Sequence, residues 1–487
     1  MLDVRPLSSA KRRGLDAATS IKPGQGLSAY IRLYRVDPRA VKRILRASRP
    51  PQVDEPTRMN ILGRMTRASV PNADVRMRGF ATRADVDHVQ RLVRQHARPL
   101  GGESVPLDGL AGRVLAADIA APVAVPGFAR SAMDGYAVRG EETFGASDYN
   151  PIVLRVVGES MPGRPFAAAV GPGEAVRIMT GAPLPAGADA VAMAEYAIES
   201  SGPGGPQVSI SEAVPPGRHV GQIGEDIEPG QLLLRAGRVL RPQDVGVLAS
   251  VGAAEAVVRR RPLVRIVITG DELLPAGSTP SGSKIVDSNS LMLDALVRRD
   301  GGTVLRGPIV PDRRESVEAA ITDPAGDLIL VSGGSSVGAE DHAPVIVADR
   351  GELLVHGVAM RPSSPTGMGR IAGRLVFLLP GNPVSCLAAY DFFAGPAVRL
   401  LAGRSADWPY RACRARLAHK IASAVGRVDY VRVRLTDAGV EPLAISGASI
   451  LSSTTRADGF VVVPKDSEGC GPGDDVTVFL YDLRCDG

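Results

Sequence analysis

Cysteine pairs, a signal peptide and long apolar runs are all lacking in this chain. The four cysteines lie far apart and form no C-x-x-C pair, so neither a zinc site nor a disulfide framework is predicted, and we expect the protein in the reducing cytoplasm. No run approaches the roughly 18 apolar residues that a membrane helix requires, and the first thirty residues lack a signal-peptide core. Export and a membrane partner are therefore not expected.

Positive charge is concentrated at one end of the chain. The first 80 residues carry 17 Lys and Arg against 6 Asp and Glu, a net charge of +11, whereas the rest carries 40 against 46, a net charge of −6. Residues 1–80 have several proline-containing stretches and little hydrophobic periodicity, which predicts a basic, disordered extension. A nucleic-acid-binding arm is the alternative, but no recognisable nucleic-acid-binding fold is present, so no such partner is expected. Translation from Met59, Met65 or Met77 would remove most of this segment.

With 487 residues and 44% hydrophobic content, the chain is long enough for two to four packed units. Thr82, followed three residues later by Asp85 and by apolar positions at helical spacing, predicts a capped amphipathic helix. From 104 to 260, short apolar segments between Gly and Pro predict strands at 152–157, 175–179 and 190–194, with a flexible insert at 200–206. We expect one β subdomain inserted into another.

Beyond residue 260 the pattern alternates between strand and helix. Strands are predicted at 263–268, 303–310, 327–331, 352–360 and 375–379, and helices at 288–300, at 313–323, from 341, and from 383 to about 401. This order predicts a Rossmann-like parallel sheet covered by helices on both faces. After Trp408 the helices stop, and strands predicted near 431–435 and 475–481 indicate a small C-terminal β domain.

Four loops of the α/β region are expected to face one cleft, because ligands of open α/β sheets bind at the carboxyl ends of the strands. They read TGDE at 269–272, SGGSSVGAEDH at 332–342, RPSSP at 361–365 and PGNP at 380–383. The glycines of the second loop allow backbone N–H groups to surround an oxyanion, and Asn382 before Pro383 predicts a second anion-accepting helix N-terminus. Each loop taken alone is equally consistent with an ordinary turn or cap.

Two acids stand beside these anion-binding loops. Asp271 and Asp341 are placed to hold Mg²⁺ against a bound anion, although either is also consistent with an acid that only complements a helix dipole. His342 is adjacent but has no second ligand, so we do not assign it to a metal.

Six motifs occur together in the order and approximate spacing of one family. They are SAMDGYAV at 131–138, IMTGAP at 178–183, GEDI at 224–227, TGDE at 269–272, the Ser, Gly and Asp positions of 332–341, and LPGNP at 379–383. On these motifs, residues 82–487 resemble the MoeA-type molybdopterin molybdenumtransferases, to which the insertase domain of gephyrin is similar. Any one motif is weak, but six in order are specific.

The resemblance implies an α/β plus β fold in several domains. These are a linker domain formed by 82–130 and 215–259, an inserted β subdomain at 131–214, a molybdopterin-binding α/β domain at 260–404, and a C-terminal β domain at 405–487. It also implies a homodimer in which the β subdomain of one chain closes over the α/β site of the other.

The implied activity is the last step of molybdenum cofactor synthesis. Molybdate is inserted into adenylyl-molybdopterin with release of AMP, in a reaction that depends on Mg²⁺. Molybdopterin adenylyltransferase and recipient molybdoenzymes are the further partners that this activity implies. Whether tungstate replaces molybdate is left open.

The resemblance also carries roles onto individual residues. It implies the catalytic residues Asp134, Thr180, Glu225, Asp226 and Asp341. It implies the substrate-binding residues Thr269, Gly270, Asp271, Asp287, Asn289, Ser332, Gly333, Gly334, Ser336, Gly338, Pro380, Gly381 and Asn382. Molybdate is expected at Arg361, Ser364 and Arg427, and the metal ion at Asp271 and Asp341.

The loop at 361–365 departs from the family pattern. Many relatives read Lys-Pro-Gly-Lys-Pro there, whereas this chain keeps one cation as Arg361 and replaces the second with Ser364. Arginine binds an oxyanion bidentately, but serine offers only a hydroxyl, so molybdate affinity or oxyanion choice is expected to differ. Arg427 resembles an arginine that the family's C-terminal domain directs to the same pocket, so it is the candidate to compensate for the missing second lysine. Its alternative role is that of a solvated strand residue.

Two other functions are compatible with parts of the sequence. Molybdopterin adenylyltransferase has a similar α/β fold, but its loop usually reads Gly-Gly-Thr-Gly, and the flanking β domains are absent from that enzyme when it stands alone. A non-catalytic or divergent paralogue would bind molybdopterin and deliver the cofactor to a client enzyme, or act as a scaffold. Only the replacement of the second lysine by Ser364 favours a non-catalytic protein of this kind.

Overall fold

The computed structural model describes residue 80 and the ranges 82–202, 204–336, 338, 341–444 and 447–481. The basic extension predicted at 1–80 lies outside these residues, apart from Phe80. All described residues belong to one compact unit of the chain, which begins at Pro71.

The region before residue 260 is built mainly from short strands. Its helices are α1 (Val86–His96) and α2 (Pro242–Ser250), with 3-10 turns at Leu107–Gly109, Gly140–Thr143 and Ala194–Tyr196. Its strands are β1 (Gly102–Pro106), β2 (Ile119–Ala120), β3 (Arg130–Ser131), β4 (Gly135–Val138), β5 (Ile152–Ser160), β6 (Glu174–Ile178), β7 (Ala190–Met193), β8 (Ala197–Gly202), β9 (Gly205–Ile210), β10 (Val220–Gly221), β11 (Leu232–Leu234) and β12 (Glu255–Arg259).

Six of these strands form one sheet in the order β7-β4-β6-β5-β9-β8, and its inner face packs apolar side chains such as Leu154, Val208 and Ile210. Strands β1 and β2 pair with β12 and β11 respectively. In sequence, the six-stranded sheet therefore lies between β2 and β11, and the segments on its two sides pair with each other. The strands predicted near 152, 175 and 190 are confirmed.

One local prediction in this region is wrong. Asp85, not Thr82, is the N-cap of α1, and its side chain makes no capping hydrogen bond. Ala84 is held in extended backbone instead: its N–H donates to Gly357 O and its carbonyl accepts from Ala359 N, both at 2.9 Å. Within the insert predicted at 200–206, Ser201 pairs with Pro206 and Gly202 with Gly205 at the end of the β8–β9 hairpin.

Beyond residue 260 the fold is a helix-covered sheet. Its elements are β13 (Leu263–Ile268), β14 (Leu273–Leu274), β15 (Ile285–Val286), α3 (Asn289–Arg299), β16 (Thr303–Arg306), α4 (Arg314–Thr322), β17 (Leu328–Ser332), α5 (Ala343–Arg350), β18 (Glu352–His356), β19 (Met360–Arg361), β20 (Gly367–Ile371), β21 (Arg374–Leu379), α6 (Pro383–Ala389) and α7 (Gly395–Leu401), with a π-helical turn at Tyr390–Ala394. The sheet order is β16-β13-β17-β21-β20-β18.

The alternation of strands and helices is confirmed, but the sheet is mixed rather than fully parallel. Strands β16, β13, β17 and β21 are parallel, whereas β20 and β18 run antiparallel to their neighbours. All five residues of β17 are buried, as expected for a strand covered on both faces.

The strand predicted at 352–360 is in fact two strands in different sheets. It ends at His356, and Gly357 then turns the chain with φ +91°. A Cβ at Gly357 would lie 2.6 Å from the Phe80 ring, so only glycine fits this turn. Strand β19 pairs with the C-terminal domain, and the loop at 361–365 therefore does not follow a strand of the α/β sheet.

The C-terminal region is the predicted small β domain. Its elements are β22 (Arg411–Arg416), β23 (Ile421–Ala422), β24 (Val428–Thr436), β25 (Gly439–Ala444), α8 (Ser452–Thr455), β26 (Gly459–Val463), β27 (Gly469–Cys470) and β28 (Asp475–Leu480). The main sheet has the order β19-β24-β26-β28-β22, with β25 beside β24. Rings of Phe392, Trp408 and Phe460 pack where this domain meets the helices at 383–401.

One described helix, Pro383–Leu401, is long and apolar enough to cross a membrane by length and composition. The protein itself covers 94% of it. Its apolar character is that of a core helix packed between the α/β sheet and the C-terminal domain.

A buried ionic cluster closes the end of α3. Asp300 is fully buried and accepts hydrogen bonds from Arg399 at 2.9 Å, from the Tyr390 hydroxyl at 3.1 Å and from Arg299 at 3.1 Å. Asp391, also fully buried, pairs with Arg299 at 3.2 Å, and burial raises the pKa of Asp391 to about 6. Each charged group in this cluster depends on the others for its partners.

We expect Asp300→Ala to lower the free energy of unfolding by about 3–5 kcal/mol, because it leaves Arg399 charged and buried without a carboxylate. Asp407→Ala, which removes an exposed aspartate nearby, is the control and should change it by less than about 0.5 kcal/mol. Urea unfolding measures both. Equal small losses for the two variants would contradict a structural role for the cluster.

Candidate functional site

Two loops meet at the carboxyl ends of the central parallel strands. The chain passes from β13 to β16 on one side and then to β17 on the other, so a crevice opens between the ends of β13 and β17. Thr269 follows β13, and its N–H donates to Ser332 O at 3.0 Å. Gly333 and Gly334 follow with φ +100° and +54°, and a Cβ on Gly333 would lie 2.2 Å from Thr269 O. The close approach requires glycine.

A third loop and a helix complete this arrangement. Asn289, at the start of α3, donates from Nδ2 to Ser332 Oγ at 3.0 Å and to Gly381 O at 2.7 Å. A Cβ on Gly381 would lie 3.7 Å from the Gly333 Cα, so these two loops are in contact. Asp287, which precedes the N-cap Ser288 of α3, accepts the Ser290 N–H at 3.0 Å. The structure thus brings together five of the predicted substrate residues from four separate elements: Thr269, Asn289, Ser332, Gly333 and Gly381.

Several polar groups in this cradle, defined as residues 269, 289, 332–334 and 381, have no partner among the described residues. Thr269 Oγ1 and Asn289 Oδ1 are buried and make no hydrogen bond. The backbone N–H groups of Gly334 and Gly381 also donate to no described residue. Buried polar groups in folded proteins are normally satisfied, so the cradle is suited to a ligand that carries several oxygen atoms.

If the cradle binds the molybdopterin that the resemblance implies, Gly333→Ala is expected to weaken that binding at least about tenfold, because its Cβ would displace the Thr269 carbonyl and open the cradle. Gly101→Ala, whose Cβ meets nothing within 4 Å, is the matched control. Fluorescence titration with molybdopterin measures both. Unchanged affinity in the Gly333 variant would show that the pterin binds elsewhere.

The acids near the cradle lie on separate loops. Asp341 accepts the Gly338 N–H, and Asp271 accepts the Asp312 N–H at 3.3 Å, so one oxygen of each carboxylate stays without a hydrogen bond to a described residue. Within the described ranges, no group of three or more His, Cys, Asp or Glu side chains could hold a metal ion. Mg²⁺ typically takes only one or two protein carboxylates together with phosphate and water oxygens, so a metal ion held by Asp271 and Asp341 stays a prediction.

Two cavities flank the cradle. The first, of about 600 Å³, is lined by Gly270, Asp271, Asp287 and Arg306 together with apolar residues of β13 and of the 307–311 loop. The second, of about 640 Å³, is lined by Pro380 and Asn382 from the start of α6, by the 361–365 loop, and by residues 426–427 and 447–448 of the C-terminal domain. We call the second one the arginine cavity.

The predicted oxyanion residues do meet in the arginine cavity: Arg361, Ser364 and Arg427 all line it. The expectation that four loops follow strands of one sheet is wrong, since the 361–365 loop arrives from β19 of the C-terminal sheet. Asn382 is the N-cap of α6 with Pro383 in its first turn, as predicted, and its side chain makes no capping hydrogen bond. That side chain is therefore available to a ligand.

Both arginines are held by one carboxylate that sequence reasoning missed. Asp429, whose side chain is 1% exposed, pairs with Arg361 and lies 3.1 Å from Arg427 Nε; Ser423 Oγ donates to it at 2.8 Å. The available signal was an aspartate within the apolar strand β24, because a carboxylate at a buried position needs a charged or hydrogen-bonding partner. Arg427 is not a solvated strand residue, because it precedes β24 and is fixed beside Arg361.

The serines of the 361–365 loop differ in role. Ser363 occupies the position where many relatives carry glycine, and its φ of +93° is strained for a residue with a side chain. Its Oγ donates to Ser385 O at 2.7 Å, which holds the loop against α6. Ser364 Oγ and Arg361 Nε are buried, and neither has a hydrogen-bond partner among the residues that the structure describes. Both unpaired groups belong to side chains that line the arginine cavity.

Four predicted catalytic residues lie instead in the β-rich region. Thr180 donates to Asp134 Oδ1 from its N–H at 2.7 Å and its hydroxyl at 2.8 Å, and these bonds lower the pKa of Asp134. Arg130 donates to Glu225 at 2.7 Å and lowers the pKa of that carboxyl. Asp134 and Glu225 are therefore ionised at neutral pH.

These residues make no polar contact with the described residues of the cradle in the same chain. None of Asp134, Thr180, Glu225 and Asp226 makes a hydrogen bond or ion pair with a described residue beyond 260. Of the predicted catalytic set, only Asp341 lies with the cradle. A site completed by a second chain stays a prediction.

Two further polar groups beside the cradle were not predicted. Burial raises the pKa of the Cys386 thiol to about 12, so this cysteine, 3.8 Å from Ser332 Oγ, is a packing residue rather than a nucleophile. Burial lowers the pKa of His356, whose Nε2 lies 3.1 Å from Ser335 O.

Comparison with known proteins covers most of the chain. Three family profiles match in order: the MoeA N-terminal region (domain I and II) at 84–252, a probable molybdopterin binding domain at 265–400, and the MoeA C-terminal region (domain IV) at 414–481. A putative molybdopterin biosynthesis protein of Methanocaldococcus jannaschii is 35% identical over 76% of this chain and 89% of its own length. The molybdopterin molybdenumtransferase of Haemophilus influenzae is 31% identical over 80% of this chain and 96% of its own length.

Solved structures agree with these sequence matches. Two crystal structures of the MoeA protein from Pyrococcus horikoshii superimpose with TM-scores of 0.72 and 0.68, at 33% and 31% identity. Each superposition covers 82% of this chain and the whole of the Pyrococcus chain. The chain belongs to the MoeA family.

Membership of the MoeA family confirms the predicted fold class, an α/β domain combined with β domains. The match extends through the β regions on both sides of the α/β domain. A stand-alone adenylyltransferase would lack those regions, so the MoeA match disfavours that alternative.

Proposed function

We propose that this protein is a molybdopterin molybdenumtransferase, an enzyme that inserts molybdate into adenylyl-molybdopterin and releases AMP. The observation that carries the proposal is an unsatisfied cradle of backbone and hydroxyl groups beside a cavity lined by arginines. Relatives in Haemophilus influenzae and Mycobacterium tuberculosis that share 31% and 38% identity are named molybdopterin molybdenumtransferases. We place the reaction in the cytoplasm, where cofactor biosynthesis proceeds.

In this proposal the cradle binds the phosphate end of the substrate. The unpaired N–H groups of Gly334 and Gly381 donate to phosphate oxygens, and the α6 N-terminus adds its positive potential. Thr269 Oγ1 is the adjacent hydroxyl donor. Because these groups are fixed by Asn289 and by the two glycine loops, they need little rearrangement when the anion binds.

The arginine cavity binds molybdate next to that phosphate. Arg361 and Arg427 are oriented by Asp429, which keeps their guanidinium groups at the cavity wall. Pro380 and Asn382 line the same cavity and directly flank Gly381 of the cradle, so an oxyanion there lies beside the substrate. This adjacency is what a transfer of molybdate to the pterin requires.

Mg²⁺ would be held by Asp271 and Asp341 and would neutralise charge on the pyrophosphate when bound. The protein is proposed to act as a homodimer, in which Asp134, Thr180, Glu225 and Asp226 of one chain approach the cradle of its partner. Ionised Asp134 and Glu225 would then position the cation and water at the bond that releases AMP.

The competing function is a non-catalytic paralogue that binds molybdopterin and delivers the cofactor. The observations that favour it are Ser364, in place of a second cation, and the strained Ser363 in the same loop. Such a protein would bind the pterin through the same cradle without inserting molybdate.

Reconstitution separates the two functions. Purified protein is given adenylyl-molybdopterin, molybdate and Mg²⁺, and a cofactor-free molybdoenzyme is then added and assayed. A transferase activates it only when molybdate is present, and the Asp341→Ala variant fails to do so. A carrier hands over pterin equally well with and without molybdate and leaves the recipient inactive, which would overturn the proposal.

A further inference from the structure

We infer that Arg83 binds the oxyanion in the arginine cavity and supplies the positive charge that Ser364 lacks. The inference deepens the proposed function and rests on it. Nothing in the motifs of the sequence identifies Arg83, which lies about 280 residues before the 361–365 loop. In the structure Arg83 lines the same cavity as Arg361, Ser364 and Arg427.

The backbone on the C-terminal side of Arg83 is held in place. Ala84 is bonded on both sides to the 357–359 segment that leads into the loop, with N···O distances of 2.9 Å. Asp85 pairs with Lys465, whose carbonyl accepts the Gly426 N–H at 2.6 Å just before Arg427. These contacts fix the position of Arg83 relative to both sides of the cavity.

The charge of the cavity indicates what it binds. Arg83, Arg361 and Arg427 are the charged residues among the described lining, and the carboxylate behind them, Asp429, offsets one of the three. Arg361 and Arg427 alone would leave a net charge of about +1, whereas Arg83 brings it to about +2. That matches a tetrahedral dianion such as molybdate at neutral pH.

Arg83 is also available for binding. Its exposed side chain makes no ion pair or hydrogen bond with any other residue in the described part of the chain. By contrast, Arg361 and Arg427 are both engaged by Asp429. An arginine that lines the cavity without a protein carboxylate can give its whole guanidinium fork to an oxyanion.

The test is equilibrium dialysis of the full chain against molybdate alone, in buffer free of phosphate and sulfate. Arg83→Ala is expected to weaken molybdate binding about tenfold, and Arg83→Lys to retain most of it. Arg91→Ala removes an exposed arginine from α1 outside the cavity and should leave binding unchanged. Adding Ser364→Lys to Arg83→Ala is expected to restore affinity, because it returns the second charge to the same cavity.

The outcomes distinguish this inference from the proposed function. If Arg83→Ala binds molybdate as tightly as the wild type, and AMP release keeps the same molybdate dependence, Arg83 is not a ligand although the transferase function stands. If the wild type neither binds molybdate nor releases AMP, the proposed function fails and the inference fails with it. Melting curves that match the wild type show that a weakened variant is folded.

Discussion

Arg361→Ala is expected to lower molybdate insertion about 100-fold while molybdopterin binding stays within about threefold of the wild type. Arg361 lines the arginine cavity, whereas the pterin phosphate is assigned to the cradle at residues 269, 289, 332–334 and 381. The losses of insertion and of pterin binding should separate, because removing a charged ligand of the oxyanion leaves the groups of the cradle in place. Insertion is measured as activation of a cofactor-free molybdoenzyme, and binding by fluorescence titration.

Two variants control for the pairing of Arg361 with buried Asp429. Arg361→Lys keeps a cation near that carboxylate and should retain more activity than alanine does. Arg434→Ala removes an exposed, ion-paired arginine from β24, the strand that also carries Asp429, and should leave insertion unchanged. If Arg361→Ala inserts molybdate as well as the wild type, the arginine cavity is not the oxyanion site.

Mixing two inactive variants, Asp134→Ala and Asp341→Ala, is expected to restore about 25% of wild-type activity after subunit exchange. Half of the re-formed dimers would be mixed, and each mixed dimer would have one site with both aspartates intact. The reason is structural: Asp134 is bonded to Thr180 in the β-rich region, whereas Asp341 belongs to the loop of the cradle. AMP release is measured before and after exchange.

Proof of exchange is essential to this experiment. Differently tagged chains, purified through both tags, show that mixed dimers have formed. Mixed dimers without activity, or a wild-type protein that is active as a monomer, would mean that each chain completes its own site.

The main elements of the fold are readable from the sequence where local pattern and burial agree. Strands β13, β17 and β21 are apolar runs bounded by turns, and both of their faces are covered by helices and core side chains. Strand β20 (Gly367–Ile371) was missed, because two glycines among its five residues give no strand signal. Strand β19 was assigned to the wrong sheet, since its partner lies about 70 residues later in the C-terminal domain.

The site was predictable in its motifs but not in its assembly. The glycine pair at 333–334 and Asn382 with Pro383 have local signatures, and the structure places them as expected around the crevice. Asp429 and Arg83 carry no motif. Strand pairing across distant parts of the chain brings Asp429 to Arg361 and Arg427, and brings Arg83 to the lining of the arginine cavity. Residues that lie close together in a motif can be identified from the sequence. Residues that enter the site through contacts between distant parts of the chain cannot.

The most direct test of the transferase function is to measure AMP release and protein- or pterin-bound molybdenum in the same reaction. Purified protein is incubated with adenylyl-molybdopterin and Mg²⁺ while molybdate is varied. We predict that AMP appears as molybdate is added, with about one molybdenum bound per AMP released, and that Asp341→Ala abolishes both signals. AMP release that ignores molybdate, or pterin binding with neither product, would contradict a molybdenum-inserting function for this protein.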